Sequence, residues 1–361
     1  MRALVLAGGA GTRLRPLTDT RPKPLVPLVG APFAAGLLRR LADVGCERAT
    51  FLVSDDARPF APLQHLGEAS GIAVDIATEE TPLDTAGAVR RALAGPGTEV
   101  VLVANGDILT DLDFAALMAA HAQAGATATL ALARVPDTRS FGVVVTGESG
   151  QVQRFVEKPP PGTEVADTIN AGTYVLDPAA FAAFPGDGPL SFEREVFPGL
   201  LDAGARMLGV VHEGYWADLG TPARLREAHA AVIAGRCRWP LGAQMVLDGG
   251  IARHEDAVVD DAAGLAGPVT VSGRARVENA ARLHDVVLGE DAFVGRDAVV
   301  EEAILGEGAE IGDGARVTGD VVLGDGAVVG EGAQVGPGVR IQAGAAVEPR
   351  ARIGPDTEVE A

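Results

Sequence analysis

The stretch LGEGAEIGDGARV (Leu305–Val317) places an aliphatic residue at every sixth position, with glycine directly behind the first two. The count continues without a slip through Leu323, Val329, Val335, Ile341, Val347 and Ile353 to Val359. An amphipathic helix repeats every ~3.6 residues and a half-buried strand every ~2, so neither accounts for a period of six. A coil of triangular section does. Each hexapeptide supplies one short strand and one corner, with the aliphatic side chain inward and a small residue behind it to let the chain turn. Upstream, Val271, Val277 and Leu283 keep this spacing, as do Leu288, Val294 and Val300. The five-residue steps from 283 to 288 and from 300 to 305 imply a shortened turn or a register shift at those corners.

This pattern resembles the hexapeptide repeat of left-handed parallel β-helices, which is the fold expected for residues 265–361. Before it, residues 236–264, with GRCRWPLGAQMVLDGG (Gly235–Gly250), read as a connector. Residues 1–235 have a different texture. Short apolar runs at Ala3–Gly8, Ala49–Ser54, Ala73–Thr78, Glu99–Asp107 and Ala128–Val135 read as strands. Helical patterns ending in glycine lie between them, at Phe33–Gly45, Thr85–Gly95 and Leu112–Gly125. This alternation predicts an α/β domain with a mostly parallel sheet covered on both faces. Phe141–Pro159 reads as two strands joined by a Gly-rich turn.

The balance of 30 Lys plus Arg against 49 Asp plus Glu gives a formal charge of −19. Wrapping nucleic acid calls for a basic face, so that class is excluded. A local cationic pocket for one small anion is not. Cys46 and Cys237, far apart and outside any CxxC pair, read as reduced thiols of a cytoplasmic protein. No segment reaches the ~18 uninterrupted apolar residues of a membrane span.

Such a cationic cluster follows the first strand, in LAGGAGTRLRPLTDTRPKPLVPL (Leu6–Leu28). Its glycines suit a loop whose backbone N–H groups approach anionic oxygens. The loop is neither a Walker A motif nor the dinucleotide fingerprint, because no Gly-Lys-Ser/Thr ends it and Leu14 stands where a third glycine belongs. Arg13, Arg15, Arg21 and Lys23 then crowd a segment stiffened by Pro16, Pro22, Pro24 and Pro27. Fixed cations suit a polyphosphate, whose transfer needs positioning and charge neutralisation more than covalent help.

The stretch closely resembles the signature G-G-x-G-T-R-L-x-P-L-T…P-K-P-L of sugar-1-phosphate nucleotidyltransferases. PLDTAGAV (Pro82–Val89), NGD (Asn105–Asp107), FGVV (Phe141–Val144), VEKP (Val156–Pro159), NAGTYVL (Asn170–Leu176) and GYWADLGTP (Gly214–Pro222) recur in that family's order. The resemblance implies a Rossmann-like nucleotidyltransferase domain joining a nucleoside triphosphate to a sugar 1-phosphate with release of pyrophosphate. It also implies that Leu6, Gly8, Gly9, Gly11 and Thr12 fold over the nucleotide and that Arg13 holds the departing pyrophosphate. Lys23 would bridge phosphates at the reacting centre. Asp107 and Asp218 would hold Mg²⁺ with hard oxygen ligands. Glu157, Gly142 and Asn170 would meet the sugar, and Lys158 its phosphate. Glu79 or Glu80, Asp84 and Gly87 fall at the base and ribose.

At position 84 the family usually has glycine, so Asp84 leaves base preference open. Glu79 or Glu80 would accept from guanine, thymine or uracil alike. The repeat domain resembles that of mannose-1-phosphate guanylyltransferases and favours GTP with mannose 1-phosphate; dTTP, UTP or ATP with glucose 1-phosphate is the alternative. A non-catalytic regulatory relative would be expected to lose Arg13, Lys23, Asp107, Lys158 or Asp218, all of which are present. A second, acyltransferase activity is not expected, because the coil from Leu305 to Val359 has neither histidine nor insertion; His254 and His284 lie before it and His121 reads as structural. The flat faces and open last coil of the β-helix predict a homo-oligomer. Truncation after about residue 240 is therefore expected to damage assembly more than chemistry.

Overall fold

The computed structural model describes residues 1–361 apart from 55, 95–98 and 164, so the helix end expected at Gly95 lies outside the described residues. The chain forms two compact units that interleave in sequence. One comprises Met1–Gly9 and Leu37–Trp216, the other Ala10–Gly36 and Ala217–Ala361.

The first unit is built on a nine-stranded sheet. Its main path runs Val152–Glu157, Gly142–Thr146, Thr168–Leu176, Val101–Asn105, Arg2–Leu6, Arg48–Val53, Ala73–Thr78. Ala128–Arg134 pairs with Thr168–Leu176 and with Met207–His212. Arg2–Leu6 runs parallel to both its neighbours, and its residues Ala3, Leu4 and Val5 are buried, as expected of a strand covered on both faces. Beneath lies a core of Leu4, Val103, Leu130, Tyr174, Phe192 and Phe197. The expected helix near 112–125 is Phe114–Ala124. Asp113 caps it by accepting from the Ala116 N–H at 2.9 Å, and Gly125 ends it at φ +55°. His121 is buried within it, 2.9 Å from the Thr129 hydroxyl, and burial lowers its pKa, as a structural histidine requires. The expected strand pair 141–159 is an antiparallel hairpin.

In the second unit the period of six becomes a parallel coil. Val271, Leu288, Leu305, Leu323, Ile341 and Val359 form one inter-coil column. Its first two steps are seventeen residues and its last three are eighteen, so the five-residue slips are shortened corners. Aliphatic side chains at the repeat positions fill the coil, and a second column not evident from the aliphatic count, including Ala292, Ala309, Ala327 and Ala345, fills it beside them. Where glycine follows the aliphatic residue, it does a different job from the one expected. A Cβ at Gly312 would lie 2.7 Å from the Glu331 backbone nitrogen of the next coil, so this position serves close stacking, and the left-handed turn falls two residues later at Gly314, φ +64°. Within residues 236–264, Ile251–His254 pairs in parallel with Gly264–Val271.

Helix Pro222–Ile233 falls in this unit. It buries Leu225, Ala228 and Val232, and ion pairs add to that packing. Arg226 is 8% exposed and reaches Asp285 at 3.2 Å, Asp320 at 3.0 Å and the Glu302 carbonyl at 3.3 Å. These three acceptors sit at left-handed corner positions where strand register slips. On the same helix His229 is 2.9 Å from the Thr270 hydroxyl and 3.3 Å from the Pro27 carbonyl. A carbonyl only accepts, so Nε2 carries hydrogen and the neutral ring takes the hydroxyl proton on Nδ1.

Burial lowers the His229 pKa from 6.5 to about 4. Between those values the unfolded chain binds a proton that the folded chain does not, so stability rises with pH, is complete above 6.5 and is lost toward 4. The full effect is ~3 kcal/mol. Denaturation midpoints measured from pH 7 down to 5 will fall less for His229→Gln than for the wild type; equal falls would contradict this linkage.

Candidate active site

Within the second unit the loop and the WADLG motif come together. Gly11 adopts φ +64°, and its carbonyl accepts from the Thr18 hydroxyl at 2.9 Å. A Cβ there would sit 3.5 Å from Cβ of Lys23, so the loop doubles back onto the lysine. Thr12 opens a 3₁₀ turn, Thr12–Leu14, that buries Leu14 and leaves Thr12 and Arg13 exposed. Lys23 Nζ lies 3.8 Å from Oδ1 of Asp218, with both side chains largely buried, and Arg224 Nη1 lies 3.3 Å from Oδ2. A Cβ at Gly220 would fall 2.7 Å from Nη2 of Arg13 and 2.8 Å from Oδ1 of Asp218. The absence of a side chain at Gly220 leaves room for those two side chains to close over that backbone. Oδ1 of Asp218 is nonetheless buried without a hydrogen-bond donor. A buried carboxylate oxygen without a hydrogen-bond donor costs free energy even beside a cation, and such an atom has room for a further cationic or donor group.

The first unit holds the remaining positions. Leu6 ends the opening strand, and its carbonyl accepts from the Gly106 N–H at 2.8 Å, tying the NGD turn to the strand end. Gly8 leaves ordinary contact distance to Ser54, and Gly9 faces open space. Asp107 follows strand Val101–Asn105, where a parallel sheet exposes ligand-binding groups. Glu79 accepts from the Leu83 N–H at 2.8 Å, while Glu80 is exposed. Asp84 stands at φ +59°, which explains why glycine suits this position. Its carboxylate is paired with Arg194. Gly87 is closed in by the protein itself, since its N–H donates to the Leu190 carbonyl at 2.9 Å and a Cβ would meet Gly188 and Leu190 at 3.1 Å.

Gly142 and Glu157 are hairpin partners, and a Cβ on Gly142 would crowd the Phe155 ring at 2.6 Å and the Glu157 carboxylate at 3.0 Å. Burial raises the Glu157 carboxyl pKa, opposed by the neighbouring Lys158 and Arg194 cations. Lys158 Nζ lies 3.4 Å from that carboxylate on an exposed side chain with φ +46°. Asn170 donates to the Tyr174 hydroxyl at 2.7 Å and accepts from the Gly172 N–H at 3.0 Å. Gly172, at φ +73°, sits against the Asn105 side chain, which brings the NGD turn to this bulge. Sequence reading passed over Glu193, whose carboxylate takes the Thr85 and Ser191 hydroxyls at 3.1 Å each and adds to the burial that raises the pKa of both Glu157 and Tyr174. The signal was hidden because Ser191 caps this π-helical turn, Phe192–Val196, and acidic residues after a cap read as structural.

Among the described residues, no three His, Cys, Asp or Glu side chains gather closely enough to hold a metal by themselves, and no helix is long and apolar enough to cross a membrane. The family model for the nucleotidyl transferase domain matches residues 2–235, and that for the GMPPB C-terminal domain matches residues 247–335. The chain is 39% identical over 280 residues to a mannose-1-phosphate guanylyltransferase of Mycobacterium tuberculosis, covering 75% of each chain. It is 36% identical to the mannose-1-phosphate guanylyltransferase catalytic subunit beta of Danio rerio and 37% to a probable mannose-1-phosphate guanylyltransferase 3 of Oryza sativa. Those two matches cover 62% of this chain and 62% of each relative's length.

Proposed function

Since the chain belongs to the nucleotidyl transferase family, we propose that it transfers a guanylyl group from GTP to mannose 1-phosphate, giving GDP-mannose and pyrophosphate. One observation carries the reading: in a chain of net charge −19, Arg13 and Lys23 flank a buried carboxylate oxygen of Asp218 that no donor satisfies. That arrangement fits a divalent cation, for which Mg²⁺ is the candidate. Mg²⁺ is commonly held by one or two carboxylates with the rest of its shell from water and phosphate, so Asp218 is a candidate protein ligand, and Asp107 is the second carboxylate that the resemblance implies. When bound, the ion neutralises phosphate charge and polarises the α-phosphoryl group.

The sugar phosphate is an anion at neutral pH, its second pKa being ~6, so it attacks the α-phosphorus without a general base. A bond forms from its oxygen to that phosphorus as the bond to the bridging oxygen of pyrophosphate breaks. Lys23 stabilises charge at the reacting centre and Arg13 the pyrophosphate leaving it. Lys158 pairs with the sugar phosphate, and Glu157, Asn170 and Glu193 accept from or orient sugar hydroxyls. Glu80 accepts from N1–H and N2–H₂ of guanine. Pairing with Arg194 offsets the Asp84 charge and makes a carboxylate tolerable beside the ribose.

The residues to about 235 supply the catalytic function, and the repeats bring copies of the chain together in the cytoplasm. Exposed Val246, Leu247 and Val258 at the first coil support that association. Pyrophosphate release from ATP, GTP, CTP, UTP and dTTP against common sugar 1-phosphates tests the assignment. GTP with mannose 1-phosphate is expected to give the highest kcat/KM. A different best pair would overturn the substrates, and no release from any pair with Mg²⁺ would overturn the reaction.

A further inference from the structure

The second unit contains both the signature loop and the β-helix, and one corner of the coil grips the loop. Asp325 accepts through Oδ1 from the Glu307 N–H of the preceding coil at 2.9 Å. Asp313, one hexapeptide corner of the same type, makes the same bond to the Arg296 N–H at 2.8 Å, so this is the ordinary work of an aspartate at that corner. Asp325 differs in its second oxygen. Oδ2 accepts from the Thr20 hydroxyl at 2.5 Å and from the Arg21 guanidinium, which also reaches Glu307 at 3.2 Å. The Asp325 and Arg21 side chains are about one-fifth exposed, dry enough for the pair to count for more than a surface contact.

Behind this clamp the apolar packing is incomplete. A cavity of about 190 Å³ separates Leu17 and Leu25 of the loop from Val287 and Leu305 of the coil. Apolar packing is looser there, and the polar clamp at the cavity's rim ties the loop to the coil. Pro22 and Pro24 then transmit the position of Arg21 to Lys23, because fixed φ angles leave few torsions to absorb a shift.

We infer that Asp325 is a positioning residue for nucleotidyl transfer, holding Thr20 and Arg21 so that Lys23 and Arg13 stand in register with Asp218. The inference rests on the reading under Proposed function. It gives the repeat domain a part in chemistry, beyond the assembly role expected of it from sequence.

Asp325→Asn in the full-length protein keeps an acceptor for the Glu307 N–H and places an amide against Thr20 and Arg21, so it breaks the clamp and spares the coil. Asp313→Asn is the control with the same corner and no loop contact. Hydrogen–deuterium exchange of residues 15–26 is expected to rise in Asp325→Asn and not in Asp313→Asn. With GTP, mannose 1-phosphate and Mg²⁺, kcat is expected to fall by ~10- to 100-fold in Asp325→Asn, with KM within threefold of wild type and kcat unchanged in Asp313→Asn. Arg21→Ala should reproduce the loss, and the double variant should be no slower than the singles. Unchanged exchange, or faster exchange with wild-type kcat, would overturn the inference. So would equal losses in the two aspartate variants, which would mark a structural role. A wild type inactive with every substrate pair would instead overturn the reaction, and exchange alone would then decide the clamp.

Discussion

Asp218→Asn will lower kcat by ~10³-fold, a loss of about 4 kcal/mol in transition-state stabilisation, while the protein remains folded. Asparagine matches aspartate in volume, so the WADLG turn and the contact over Gly220 are kept. What is lost is the negative oxygen at the buried Oδ1 position, which lacks a donor and has Lys23 Nζ 3.8 Å away. Oδ2 of Asp218 accepts from Arg224 at 3.3 Å, but Oδ1 is buried and accepts no hydrogen bond, which leaves it open to a cation. Removing the proposed metal ligand is also expected to raise the Mg²⁺ concentration needed for half-maximal rate, which separates this role from a purely structural one. Wild-type kcat with an unshifted Mg²⁺ requirement would contradict it.

Lys23→Met will lower kcat/KM by ~10²- to 10³-fold, the size of effect expected when one fixed donor to a developing charge is removed. Methionine keeps the length and apolar stem of lysine, so packing beneath the loop changes little and the thermal midpoint will stay close to that of the wild type. Lys23→Arg will recover only a small part of the loss. The Lys23 side chain is 11% exposed, its Cβ lies near Gly11, and a planar guanidinium does not fit where a compact ammonium points at a buried oxygen. Steady-state kinetics with both substrates varied give the answer, and full activity in the arginine variant would show that any cation suffices.

The coil was legible in sequence because its period is unambiguous and each inward aliphatic residue is chosen by burial alone. Even the shortened corners showed as five-residue steps. That these corners receive Arg226 was not legible, because the contacts join residues far apart in sequence, such as 226 and 320. The same holds for Thr20 with Asp325 and for the membership of residues 10–36 in the unit that contains the repeats. Asp325 reads in sequence like Asp313, and only the second oxygen tells them apart. At the candidate site, the convergence of Arg13, Lys23 and Asp218 follows the resemblance, whereas Glu193 and Arg194 stayed hidden within a helix-capping pattern. The surroundings of Gly87 also required coordinates, since a glycine needed for close approach does not say what approaches.

A double-mutant cycle on kcat/KM with Asp107→Asn and Asp218→Asn tests most directly whether two carboxylates distant in sequence serve one ion. If they do, the first substitution forfeits most of what that ion contributes, and the double variant will be within a few-fold of the slower single variant. Losses that multiply would mean that the two act independently, and the shared-ion account of this site would be wrong.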